Sequence, residues 1–235
     1  MTTFALELAD PDCLDPAEAG ALLRPAAWRR LVVLGDSVAA GVRAPLGGYR
    51  DEGFTDRVAS ALAASRAGFA YANHAARDRR LAEIVADQLP PALAVAPDLA
   101  IVVAGGNDAL SRRYDAGRVR ALLGDLLGPL AAAGALVVTV GLFDLARSGL
   151  VPDEAAAALA QRMDELDALT AAAAQEVGGL HVDTHHHPRG SDPAIYAPDL
   201  IHANARGHAI AAAAVVRALA KRAALTPPRA GSRPR

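Results

Sequence analysis

The stretch Leu31-Val32-Val33-Leu34-Gly35-Asp36-Ser37 sets four consecutive apolar residues before a glycine and then turns polar. A run so short, unbroken and closed by a turn residue reads as a strand buried on both faces. Comparable runs recur at residues 99–104 and 135–142, with shorter candidates at 69–72 and 179–183. Segments with helical spacing lie between them, at 54–65, 79–88, 116–132 and 153–177. A last helix is expected over 205–223, with Asn204 as its N-cap. The helix over 79–88 is expected to stop before Pro90-Pro91. Strands alternating with helices of this length build βαβ units, so the chain reads as an α/β fold with a parallel sheet covered on both faces. Ligands of such sheets gather at the carboxyl ends of the strands, which is where Ser37 falls.

The bulk numbers narrow the partners. A chain of 235 residues suits one α/β domain, and its 52% apolar content is inflated by alanine, with aromatics at only 4%. A net charge of −2 gives no reason to expect nucleic acid or an anionic membrane as partner. Cys13 is the single cysteine, which excludes an intrachain disulfide and a cysteine-based zinc cluster. The first twenty residues have no basic segment followed by an unbroken apolar one, and no window reaches the roughly 18 apolar residues of a membrane span. A soluble cytoplasmic protein is therefore expected. Residues 1–27 read as an N-terminal extension, with a short helix from Asp15-Pro16 to Leu23. The domain proper is expected over 28–223, and residues 224–235, ending in TPPRAGSRPR, read as a disordered tail. Neither GxGxxG nor GxxxxGK[ST] occurs, so nucleotide binding has no support. Nothing in the sequence speaks to oligomeric state.

Three segments carry chemistry. In Gly35-Asp36-Ser37-Val38-Ala39-Ala40-Gly41 a hydroxyl stands at the sheet's carboxyl edge. In Asp199-Leu200-Ile201-His202 a carboxylate precedes an imidazole by three residues, close enough for both to face one cleft. A serine hydroxyl needs a base to take its proton, and the base needs a carboxylate to hold its tautomer. In Gly105-Gly106-Asn107-Asp108 the glycines allow close backbone approach, and an asparagine amide can donate to an oxygen that gains charge. Each segment alone has a plain alternative as a turn or helix cap. His185-His186-His187 reads as a polar turn, because adjacent side chains diverge, and no metal is expected there. His208 reads as a helix-surface or packing residue.

Taken in order, GDSxxxG, GxND and DxxH resemble the successive blocks of the SGNH/GDSL hydrolases, with a likeness spanning residues 29–221. The resemblance implies a flavodoxin-like, three-layer α/β/α fold with about five parallel strands. It also implies a serine esterase that needs neither metal nor cofactor. By position, Ser37 would be the nucleophile, His202 the general base and then acid, and Asp199 the residue that orients His202. The oxyanion hole would take the backbone N–H of Ser37, the side-chain amide of Asn107 and a backbone N–H from the second block. That block, Tyr71 to Asp78, departs from the family: Asp78 stands where a glycine is expected. Its backbone N–H remains available, aspartate tolerates positive φ better than most residues, and its carboxylate is expected to face solvent or one of Arg77, Arg79 and Arg80. The expected substrate is a small acyl ester or thioester. An acyltransferase using the same triad and an impaired binding protein on the same scaffold are the alternatives.

Overall fold

The computed structural model describes residues 4–225. Five strands form one all-parallel sheet: β1 (Arg30–Gly35), β2 (Ala70–Asn73), β3 (Leu99–Val103), β4 (Leu136–Val140) and β5 (Leu180–Val182), in the order β2-β1-β3-β4-β5. The central strands are largely apolar because both faces are covered, with Thr139 of β4 a buried exception. Leu31 and Val33 point into one core with Ile101 and Val138, whereas Val32 and Leu34 point into the other with Val102 and Val137. Side chains alternate across a strand, so a continuous run supplies both cores at once.

Helices α2 (Pro16–Leu23), α3 (Phe54–Ala63) and α9 (Ala205–Leu225) pack against one another and onto the first face. The second face is covered by α4 (Leu81–Glu83), a π-helical turn over Ile84–Gln88, α5 (Leu89–Ala94), α7 (Ala116–Ala132) and α8 (Asp153–Glu176). The result is the three-layer arrangement anticipated from the sequence. Short helices α1 (Ala5–Ala9) and α6 (Gly106–Ala109) and 3₁₀ turns over Leu145–Arg147 and Pro193–Ile195 complete the helical set among the described residues. This strand order reverses direction between β1 and β3, so a crevice opens at their carboxyl ends.

Boundaries of the expected elements lie within two residues of those anticipated except after Gln88, and helices α1 and α6 were not anticipated. The helix expected to end at Gln88 continues through Pro90-Pro91, because the π turn restarts it with the prolines in the first turn of α5. A first turn needs no N–H from proline, so no hydrogen bond is lost there. Helix α9 runs to Leu225, two residues into the expected tail, and residues 226–235 lie outside the described residues.

The N-terminal segment is built into the same body. Leu14, Ala19, Leu23 and Ala26 belong to the core formed by β1, α3 and α9, and Cys13 is buried beside Ile195 and Ile210. Arg217 of α9 donates to the carbonyls of Asp12 and Cys13. Glu7 of α1 is 2% exposed, and its carboxylate meets Arg57 Nη1 at 2.6 Å, Arg50 Nε at 2.9 Å and the Arg50 backbone N–H at 2.8 Å. Burial opposes its charge, but these donors outweigh it and hold the carboxyl below its usual range. Removing one partner of such a pair strands the other charge in the interior. Glu7→Ala is therefore expected to cost about 3–5 kcal/mol in urea unfolding. A change below about 0.5 kcal/mol, the range of ordinary surface substitutions, would mean that this segment is not part of the cooperative unit.

Candidate active site

The residues after β1 do not enter a helix directly. They form tight turns over 37–41, and the backbone N–H of Asp36 donates to Val103 O on β3 at 3.2 Å. Side chains from elsewhere hold this turn. The Asn73 amide and the Thr55 hydroxyl both donate to Ala39 O, at 3.0 and 3.2 Å. Gln88, brought inward by the π turn, accepts from Gly35 N–H at 2.8 Å and donates to Gly35 O at 2.9 Å.

Ser37 Oγ lies 2.8 Å from His202 Nε2, and His202 Nδ1 lies 2.7 Å from Asp199 Oδ2. A carboxylate can only accept, so Nδ1 carries a proton, and in the neutral ring Nε2 is left to accept from the serine hydroxyl. Asp199 Oδ1 also accepts from the backbone N–H groups of Ile201 and His202, at 3.1 and 3.0 Å. Partial burial works against the Asp199 charge, but these donors hold its carboxyl below the ordinary range. The intervening Leu200 takes φ 61°, a left-handed conformation costly for a leucine. Asn204 caps α9, accepting from Arg206 N–H at 3.0 Å and so fixing where the helix leaves this loop.

The other sequence-predicted residues surround this triad. Asn107 lines the same cleft as Ser37 and His202, and its amide donates to Arg79 O at 2.9 Å. Asp108 accepts from Leu81 N–H at 3.0 Å, which fastens the second block to the third. Asp78 has φ 62° and an exposed side chain. The position where the family carries glycine therefore has the backbone that glycine favours. Arg79, one of the arginines expected to meet Asp78, pairs with Glu83 and Asp87 instead.

The cleft is lined chiefly by apolar side chains, among them Phe54, Leu142, Phe143, Met163 and Ile201. Asp36 reaches it too, and burial pushes its carboxyl up to about 7. His208, expected on a helix surface or in packing, is 2% exposed and sits against the cleft wall. The three adjacent histidines do not all diverge as expected, since the rings of His185 and His186 stand edge-on with centroids 4.8 Å apart. His185 turns inward to Leu142 O and Asp164, His186 reaches Asp183, and the ring of His187 stands edge-on to Phe143. Gln88 and His208 escaped the sequence reading because their partners lie 53 and 154 residues away.

Residues 33–210 match the model of the GDSL-like lipase/acylhydrolase family, and the chain belongs to that family. Among solved structures, a catalytic mutant of Axe2, an acetylxylan esterase from Geobacillus stearothermophilus, superposes with a TM-score of 0.66 at 20% identity, covering 81% of this chain and 94% of that one. The lipase/acylhydrolase from Enterococcus faecalis gives 0.64 at 19% identity, with 83% and 96% covered. TesA gives 0.60 at 21% identity, with 83% and 97% covered. At such identities these structures share the fold. No curated protein matches the chain in sequence. Among the described residues, no helix is long and apolar enough to cross a membrane.

His208 ties this framework to pH. Its Nδ1 accepts from Phe54 N–H at 3.1 Å, the first turn of α3, and its Nε2 donates to Val42 O at 3.1 Å. Only the neutral ring makes both bonds, and burial lowers its pKa to about 4. A base depressed on folding contributes stability above its unfolded pKa, near 6.5, and loses it as pH falls through the folded value. Wild-type protein should therefore lose on the order of 3 kcal/mol more between pH 7 and 4 than His208→Gln, whose amide can both accept and donate. Parallel stability-against-pH curves for the two proteins would refute the assignment.

Proposed function

We propose that this chain is a serine esterase that cleaves a small acyl ester or thioester through an acyl-enzyme on Ser37. The observation carrying the proposal is the unbroken line of hydrogen bonds Ser37–His202–Asp199 at the edge of an apolar cleft. His202 Nε2 takes the hydroxyl proton as Ser37 Oγ attacks the acyl carbonyl, and then delivers it to the departing alcohol or thiol. Water repeats the sequence and frees the acid. Asp199 keeps the imidazole in the tautomer this requires and offsets the charge the ring acquires.

The oxyanion would be met by the Ser37 backbone N–H, the second N–H of the Asn107 amide and the Asp78 backbone N–H. One amide proton of Asn107 is already engaged by Arg79 O, which fixes the plane of the group and leaves the other to donate. The apolar lining supports an acyl portion with a hydrocarbon character. An aligned serine and base support catalysis over a purely binding role.

Ser37→Ala should fold normally and lose p-nitrophenyl ester hydrolysis by a factor on the order of 10⁴ or more, and a fluorophosphonate probe should label only the serine form. Retention of more than about a tenth of the activity would exclude Ser37 as nucleophile. Asp78→Gly keeps the backbone donor and removes the carboxylate, so kcat on simple esters should hold or rise. A fall of more than about tenfold in kcat, with the fold intact by circular dichroism, would make the carboxylate a direct participant.

A further inference from the structure

The edge of the sheet opposite β2 carries a second cluster of polar side chains, none of which lines the Ser37 cleft. His181 and Asp183 flank Val182 at the end of β5, and alternate strand residues share a face. Both turn toward α8, where Asp167 waits. Ligand atoms of Asp167, His181 and Asp183 all lie within 4.8 Å of one another. His181 Nε2 is 3.2 Å from Asp167 Oδ1. His186 Nδ1 is 3.0 Å from Asp183 Oδ2 and 4.0 Å from Asp167 Oδ2.

We propose that Asp167, His181, Asp183 and His186 bind one divalent transition-metal ion of the zinc type. Four ligands about 2.0–2.1 Å from a tetrahedral ion stand roughly 3.3–3.4 Å apart. Asp167, His181 and Asp183 are the three whose ligand atoms all lie close together, the His181–Asp167 pair at 3.2 Å is near that spacing, and His186 joins from the rim, 3.0 Å from Asp183 Oδ2. Two imidazoles with two carboxylates suit zinc and its neighbours, whereas calcium and magnesium prefer oxygen alone.

The surroundings match a site built to bind. His181 and Asp167 are nearly buried, with side chains 12% and 10% exposed, so the inner pair is held in place. Asp183 and His186 are 50% and 66% exposed, which gives an ion a path in and leaves two ligands free to close over it. His181 Nδ1 lies 2.9 Å from the hydroxyl of Thr139, a buried residue of β4. That contact orients the ring and presents Nε2 to the cluster, as outer partners of metal-bound histidines do.

A neighbouring pair shows the contrast. One turn earlier on α8, Asp164 meets His185 at 2.9 Å, but Arg147 also grips that carboxylate at 2.6 Å, so a fixed cation already balances it. At Asp167 and Asp183 the groups in contact are imidazoles, which are cations only when protonated. Bound metal would clamp the three-residue edge strand β5 to α8.

The test uses the full chain, stripped with EDTA and exchanged into a non-chelating buffer. Zinc is titrated against a chromophoric chelator and melting temperature is followed in parallel. One equivalent should bind, and a hundredfold excess over Kd should raise Tm by about 5 °C. Calcium and magnesium should leave Tm unchanged. His181→Ala and Asp183→Asn should each weaken binding by more than the roughly 10–100-fold that loss of an outer partner costs, and Thr139→Val by about tenfold or more. Ester hydrolysis by the stripped His181→Ala protein should match that of stripped wild type. His202→Ala, which leaves the cluster intact, should bind zinc as tightly as wild type. Tight binding that survives both His181→Ala and Asp183→Asn, or binding that vanishes in His202→Ala, would overturn the proposal. So would the absence of stoichiometric binding to wild type.

Discussion

A Cβ atom on residue 35 would lie 2.0 Å from the carbonyl oxygen of Val103 and 2.8 Å from the Cβ of Ala39, so only glycine fits there. Its φ of 147° lies in a region that side chains rarely occupy. This close approach lets β1 end hard against β3 and turn at once, with Asp36 N–H on Val103 O and Ser37 lifted to the crevice between the two strands. The rest of the site is arranged around that turn. Gln88 satisfies both backbone groups of Gly35, Asn73 and Thr55 hold Ala39, and His208 holds Val42 just beyond. A turn fastened from four elements holds the Ser37 hydroxyl in one place, and preorganisation of that kind is what the proposed catalysis requires.

How much of this was legible in the sequence follows from the range of each interaction. The strands were legible because burial on both faces writes a continuous apolar run, and β1, β3 and β4 all carry one. The pairing of Asp199 with His202 was legible because it closes within three residues, and the caps Asp15 and Asn204 for the same reason. The passage of a helix through Pro90-Pro91 was not, since it depends on a π turn whose reward, the Gln88–Gly35 pairing, is long-range. Glu7 was equally silent. A glutamate in a short helix near the chain start looks solvated until Arg50 and Arg57 fold over it.

The histidine tract shows the same boundary from the other side. His185 and His186 lie in a turn with their rings edge-on at 4.8 Å and both face α8, at Asp164 and Asp167, whereas His187 turns away to Phe143. Asp183 stands only three residues before His186, but Asp167 comes from α8, and only the fold brings it within reach. Sequence spacing speaks for a cluster when its members are neighbours, and is mute when a helix crosses a sheet edge to complete it.

Backbone strain gathers beside the site. Of the three non-glycine residues with positive φ among those described, Asp78 and Leu200 lie in the second and last motif segments. Each such conformation costs on the order of 1–3 kcal/mol and persists only where neighbours over-determine it. At Leu200 the neighbours are the two N–H groups of residues 201 and 202, both drawn onto Asp199 Oδ1. The carboxylate that orients the imidazole thus also holds the strained turn that presents it. At Asp78 the hold comes from the third block, where Asn107 fixes Arg79 O and Asp108 fixes Leu81 N–H. Residues that the chemistry needs in one place are therefore the same ones that stabilise the loops carrying them. In that arrangement Ile201 lines the cleft while 54% exposed, and Leu200, 46% exposed, faces a separate groove beside Pro45 and Leu150.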